Sequence, residues 1–116
     1  MGIDMDNNCI FCRIVAGTIP AGELYRDDQV VAFKDINPQA PFHALVIPTK
    51  HIATLNDADT VDQAVLGKLM LVAKKIANDA GYQDYKVLMN CGKGAGQVVF
   101  HTHLHVLAGK STDREV

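Results

Sequence analysis

Three of the chain's five histidines fall within five residues, as His101, His103 and His105 of Phe100-His101-Thr102-His103-Leu104-His105-Val106-Leu107-Ala108. Neutral imidazoles grouped this closely do two kinds of work. They bind metal, since a histidine nitrogen is the commonest protein ligand for zinc. They also act as acid, base or nucleophile near neutral pH, because an unperturbed imidazole titrates near ~6.5. His43 and His51 are the other two histidines, and the cysteines are Cys9, Cys12 and Cys91. An odd cysteine count that includes a Cys-x-x-Cys pair argues against a disulfide scaffold. Redox use is disfavoured, because no βαβ pattern surrounds the pair. Half a zinc site and simple packing both stay open, since two thiolates need two further ligands.

The elements that hold these groups follow from pattern. Thr102, Val106 and Leu107 favour an extended backbone, so residues 100–108 are expected to be a strand. In a strand, residues i and i+2 sit roughly 6.5–7 Å apart on one face. His101, His103 and His105 would then share a face, with Thr102, Leu104 and Val106 turned to a core. Earlier strands are expected at residues 24–26, 30–35 and 43–48, with a rigid loop at Asn37-Pro38-Gln39-Ala40-Pro41. Cys9 to Val15 reads as a short helix ending near Gly17. Residues 57–81 carry a helical stripe of Val61, Val65, Leu69, Val72 and Ile76, widened by Leu66, Met70 and Ala73. Thr60 and Gln63 have the spacing of a capping box, and Gly81 is placed to stop the helix. The stripe is wide enough that a partner subunit is expected to share it. A fourth strand spans residues 85–90. The glycine-rich stretch 92–97 fits neither a dinucleotide fingerprint nor a Walker loop, because a strand and not a helix follows it. A flexible turn remains, whose N–H groups could approach an anion. The fold class expected is α+β: a mostly antiparallel five-stranded sheet with one long crossover helix and a short N-terminal helix.

Composition narrows the function classes. The chain has 116 residues, 48% of them hydrophobic, which suits one domain with a modest core. A net charge of −2 provides no basic footprint for nucleic acid, and no apolar run approaches the roughly 20 residues of a membrane span. The polar, acidic start is unlike a secretory signal, so a cytoplasmic protein is expected. Residues 1–8 are expected to be disordered, residues 9–109 to form the domain, and residues 110–116 to be a polar tail.

The motifs together resemble those of a known family. His101-Thr102-His103-Leu104-His105-Val106-Leu107 is similar to the histidine-triad signature, His-x-His-x-His followed by apolar residues. The likeness extends to Cys9-Ile10-Phe11-Cys12, Ile19-Pro20-Ala21, Ala32-Phe33-Lys34-Asp35-Ile36, the stretch from His43 to His51, and Gly96-Gln97-Val98-Val99-Phe100. The nearest branch resembles the Hint nucleotide-binding subgroup. That resemblance implies a homodimer that hydrolyses purine nucleotide conjugates, typically phosphoramidates, at the α-phosphorus. It implies attack by His103 through a nucleotidyl-histidine intermediate, flanked by His101 and His105, with His105 assisting the leaving amine. His43 would hold His103 in the useful tautomer. Asp35 would bind the ribose hydroxyls; Phe11, Phe33 and Ile36 would line the base pocket; Asn90, Gly96 and Gln97 would position the phosphate. Val98 stands where many relatives carry a phosphate-contacting Ser, and Thr102 where the signature has an apolar residue. In zinc-containing relatives the ligand positions correspond to Cys9, Cys12, His51 and His101, a closed structural site that leaves catalysis metal-free. Two other readings stay open: a nucleotide-responsive interaction module, and a zinc-dependent hydrolase that uses the triad as ligands.

Overall fold

The computed structural model describes residues 8–109; the expected disordered start, apart from Asn8, and the polar tail lie outside that range. Five strands, β1 (Glu23–Arg26), β2 (Val30–Lys34), β3 (Phe42–Pro48), β4 (Lys86–Leu88) and β5 (Leu104–Ala108), form one sheet in the order β1-β2-β3-β5-β4. Every neighbouring pair is antiparallel. Helix α1 (Ile10–Ala16) and helix α2 (Gln63–Asp79) complete the regular elements, apart from single 3-10 turns. The α+β expectation therefore holds.

Both faces of the sheet are covered, which is why β2 and β3 read as continuous apolar runs. Val30, Ala32, Ala44, Val46, Leu104 and Val106 face Leu69, Val72, Ala73 and Ile76 of α2. The alternate residues Val31, Phe33, Leu45 and Ile47 pack with Cys9, Phe11, Cys12 and Ile14 of the α1 segment. His43 and His105 alternate with the α2-facing residues, so they belong to the α1 face.

At seven residues α1 is too short to persist alone. Its packing holds it, together with both ends. Cys9 Sγ accepts from the Cys12 N–H at 3.3 Å. Gly17, with φ of 79°, ends the helix as expected. Arg26 of β1 donates to the carbonyls of Ile14 and Val15, each at 3.0 Å.

Helix α2 starts later than the pattern implied. The expected box of Thr60 and Gln63 is replaced by Asp59 and Asp62: Asp62 Oδ2 accepts from the Asp59 N–H at 2.9 Å, and Asp59 Oδ1 from the Thr60 N–H at 2.8 Å. Carboxylates cap this turn with two acceptor oxygens each, which a Gln cannot offer. Val61 is consequently outside the helix and 78% exposed, and Met70 is 51% exposed, so neither belongs to the core. Gly81, with φ of 94°, does terminate the helix, and the Tyr82 N–H returns to the Ala77 carbonyl. No helix of the described residues is long and apolar enough to cross a membrane.

The histidine segment departs most from expectation. Strand β5 begins at Leu104, so only His105 of the three lies in the ladder. The pairing of Val46 with Leu104 would next set Pro48 opposite Thr102. Proline has no N–H to donate, and the ladder stops there. Thr102 instead donates its N–H to the Ile52 carbonyl at 2.6 Å. Released from the sheet, His101 and His103 are free to take different surroundings. Strand β4 is likewise shorter than the expected 85–90.

Candidate active site

A pocket of about 470 Å³ opens on the α1 face. Its walls follow the strand order. On one side stand Phe11 of α1, Phe33 of β2, and Asp35 and Ile36 just beyond β2. The centre holds His43 and Leu45 of β3, His105 of β5, and His103. Asn90, just past β4, with Gly96 close to its amide, and Val98 complete the lining. All the expected site residues are brought together here except His101, His51, Cys9 and Cys12, which form a second cluster, and Gln97.

Gln97 is buried and its amide is committed to backbone. Nε2 donates to the carbonyls of Ala53 and Val99, and Oε1 accepts from the Gly92 N–H at 2.8 Å. It shapes the glycine-rich turn and is not free to contact a phosphate. That turn is more ordered than the sequence implied: Lys93–Ala95 form one 3-10 turn between Gly92 and Gly96, whose φ values of 91° and 94° favour glycine.

Hydrogen bonds assign a tautomer to each of the three histidine rings in the pocket. His103 Nδ1–H donates to the His101 carbonyl at 2.7 Å, leaving the lone pair on Nε2. The expectation that His43 orients His103 is corrected here, since backbone does that work and His43 serves His105. The Gln39 N–H donates to His43 Nδ1 at 2.9 Å, so the proton of His43 sits on Nε2. That Nε2–H faces His105 Nδ1 at 2.9 Å and Asp35 Oδ2 at 3.3 Å. His105 Nδ1 is thereby an acceptor, and its Nε2 carries the hydrogen. One nitrogen of the pair His103 and His105 offers electrons, and the other offers a proton.

Burial favours the neutral ring in each case. His105 is pushed down to about 4, by burial first and then by His103 and His43. Burial also lowers His43 and His103, while the Asp35 carboxylate works the other way on both. Phe11 stacks edge-on against His103, with centroids 5.1 Å apart, and against Phe33 at 5.5 Å.

The second cluster lies behind Phe11. His101 Nδ1 is 3.4 Å from Cys9 Sγ and 3.5 Å from Cys12 Sγ, and His51 Nδ1 is 3.2 Å from Cys12 Sγ. The four donor atoms all lie within 4.8 Å of one another, so the set could hold a metal ion. The tautomer suits that use, because His101 Nε2–H donates to the Pro48 carbonyl at 2.8 Å and leaves the Nδ1 lone pair toward the sulfurs. Asp35, His43 and His105 are also close enough to surround an ion. There the tautomer opposes binding: with Gln39 donating to Nδ1, His43 Nε2 keeps its proton.

The sequence reading missed Gln39, whose contribution is a backbone N–H that no side-chain pattern announces. It also missed Leu45, although alternation along the expected strand puts Leu45 on the same face as His43.

Comparison with known proteins places these features in context. Residues 16–112 match the family model described as HIT domain. Protein HitA of Neisseria gonorrhoeae is 50% identical over 102 residues, spanning 87% of this chain and 95% of that protein. A solved structure of an HIT family hydrolase from Legionella pneumophila is 46% identical with a TM-score of 0.86, covering 89% of this chain and 94% of that one. Another, an HIT family hydrolase from Clostridium thermocellum, has a TM-score of 0.92 at 38% identity, covering 97% and 99%.

Proposed function

Since the chain belongs to the HIT family, whose solved members similar to it include hydrolases, we propose that it hydrolyses purine nucleoside phosphoramidates or related conjugates at the α-phosphorus. The observation that carries this reading is the tautomer of His103. Its Nδ1–H is fixed on the His101 carbonyl, so Nε2 is an oriented lone pair inside the pocket. In the reaction, His103 Nε2 bonds to phosphorus as the phosphorus–nitrogen bond of the substrate breaks. The amine leaves with a proton delivered through His105. Water then attacks the nucleotidyl-histidine, releasing the nucleoside monophosphate and restoring the imidazole.

The electrostatics support the proton's path. The free pocket keeps His105 neutral, whereas an arriving phosphate anion favours a proton there. Asp35, beside His43, offsets positive charge spreading across the two rings. Asp35 also suits a ribose, since its oxygens accept from both hydroxyls. Phe11, Phe33 and Ile36 offer apolar surface to a base.

We infer that Cys9, Cys12, His51 and His101 hold zinc: two thiols and two imidazoles are a closed, structural donor set. Bound there, zinc would fix the α1 segment to the histidine segment, and it takes no part at the phosphorus. Exposed Met70 and Leu71 on α2 and Leu88 on the sheet's outer strand support association with a second copy. A cytoplasmic setting would keep the thiols reduced.

The test is intact-protein mass spectrometry of an acid-avoiding quench during turnover of adenosine 5′-phosphoramidate. An added mass of one adenylyl group on His103 is expected, and its loss in His103→Asn, with AMP binding retained. Unimpaired turnover in that variant removes the reading. Brief EDTA treatment is expected to leave turnover in place; loss with EDTA and return with zinc points instead to a metallohydrolase.

A further inference from the structure

Prolines stand at both ends of β3: Pro48 is its last residue, and Pro41 precedes its first. Phe42 pairs with Ala108, which sets Pro41 opposite Gly109. Alternation puts both positions on the face that carries His43 and His105. A Cβ built on Gly109 would lie 2.7 Å from Pro41 Cγ and 2.9 Å from its Cβ and Cδ, closer than non-bonded carbons approach. The Pro41 ring therefore occupies the space that any other residue at position 109 would fill. The backbone agrees, since φ of Gly109 is 106°.

What the ring holds down is the loop between β2 and β3. Pro38 and Pro41 each fix their own φ and bias the residue before them toward extended backbone, so residues 37–41 form a stiff piece. Its near end is tied by the Asn37 N–H, which donates to Asp35 Oδ1 at 2.8 Å. Its far end rests on Gly109. Between them the Gln39 N–H donates to His43 Nδ1 at 2.9 Å. We propose that Gly109 is a positioning residue: its missing side chain lets Pro41 settle on the end of β5, and this holds Gln39 where it fixes the tautomer of His43. A methyl group at position 109 would push Pro41 outward and draw the Gln39 N–H off Nδ1. His43 could then carry its proton on Nδ1, and would meet His105 Nδ1 lone pair to lone pair. The consequence for turnover rests on the phosphoramidate reading above; the tautomer itself does not.

The experiment is nitrogen-15 spectroscopy of the imidazoles in the free protein, with kcat and KM measured on adenosine 5′-phosphoramidate. Wild-type His43 is expected as the Nε2–H tautomer, and an Nδ1–H tautomer there overturns the inference. In Gly109→Ala, Nδ1 should gain the proton in part, and kcat should fall by about 10–100-fold, the scale of a 1 Å misplacement, with KM little changed. Strain at the positive φ would also harm this variant, so the change is repeated in Pro41→Gly. With the ring gone, adding Gly109→Ala should cost much less than it does beside Pro41. Equal losses in both backgrounds trace the effect to backbone strain and overturn the inference, as do wild-type His43 shifts in Gly109→Ala. If Gly109→Ala does not fold, Pro41→Ala carries the test: it removes the ring without adding a clash, and unmoved His43 shifts there overturn the inference. A wild type with the expected tautomer but no turnover of the phosphoramidate removes the proposed function and leaves this inference standing.

Discussion

At His43 the order of donor and acceptor can be reversed with little change in size. A Gln there can present N–H toward His105 Nδ1, as His43 Nε2 does at 2.9 Å. A Glu carboxylate presents only acceptors, and would draw a proton onto His105 Nδ1. His43→Gln keeps the donor and is therefore expected to hold kcat within about 100-fold of wild type, the low end of the roughly 10²–10⁴-fold reach of a single acid–base group. His43→Glu should fall at least a further tenfold, with the nitrogen-15 shifts of His105 reporting the exchanged tautomer. Equal activity in the two variants would mean that tautomer does not matter. Thr102 gives a stability prediction. Its buried hydroxyl has no hydrogen-bond partner among the described residues. Thr102→Val keeps the shape and removes that polar atom, so stability should rise by about 1 kcal/mol, read as a higher Tm. The types and spacing of the histidines were legible in the sequence. Their division of labour was not, because it depends on the Gln39 amide and the His101 carbonyl, and every residue carries such groups.

Among the elements, α1 contributes more to the pocket than its length suggests. It carries Phe11 between Cys9 and Cys12, and Arg26 ties its last carbonyls to the sheet. Arg26→Met preserves much of the apolar stem and removes both donors. A loss of about 1–2 kcal/mol is expected from two hydrogen bonds of a charged group at a partly exposed position. Amide exchange should rise first in residues 10–16, and AMP should bind more weakly; unchanged exchange there would show that packing alone holds the helix. The strand and helix order was readable from alternation and helical spacing. The end of the β5 ladder was not, since the cause is Pro48 on a different strand. The start of α2 was misjudged because two aspartates three residues apart form the cap, a pattern less distinctive than the Thr and Gln pair beside it.

For the molecule as a whole, two imidazoles at the low end of the titration scale, fully buried His101 and half-buried His105, weaken the fold in acid. Burial holds His101 and His105 at about 4, against 6.5 for an exposed imidazole. Between those values the unfolded chain binds protons that the folded chain refuses, so stability falls as pH falls through that window. Denaturant titrations of chelated protein from pH 7 to 4 should show the decline; a flat profile down to pH 5 would contradict it. The unbroken apolar runs of β2 and β3 are the sequence signal of a two-faced core, a signal from which only the burial of the third strand was read. The resemblance already assigned His101 and His103 to different tasks, and the structure gives the physical reason: outside the β5 ladder, His101 turns to Cys9, Cys12 and His51 while His103 lines the pocket. Phe11 joins those clusters, because its ring touches His101 as well as His103. Linkage makes such a connection run both ways. If both sites fill, a mononucleotide seated against that ring should tighten zinc at Cys9, Cys12, His51 and His101, read in an equilibrium titration with a chromogenic chelator, and zinc should tighten the mononucleotide by the same factor.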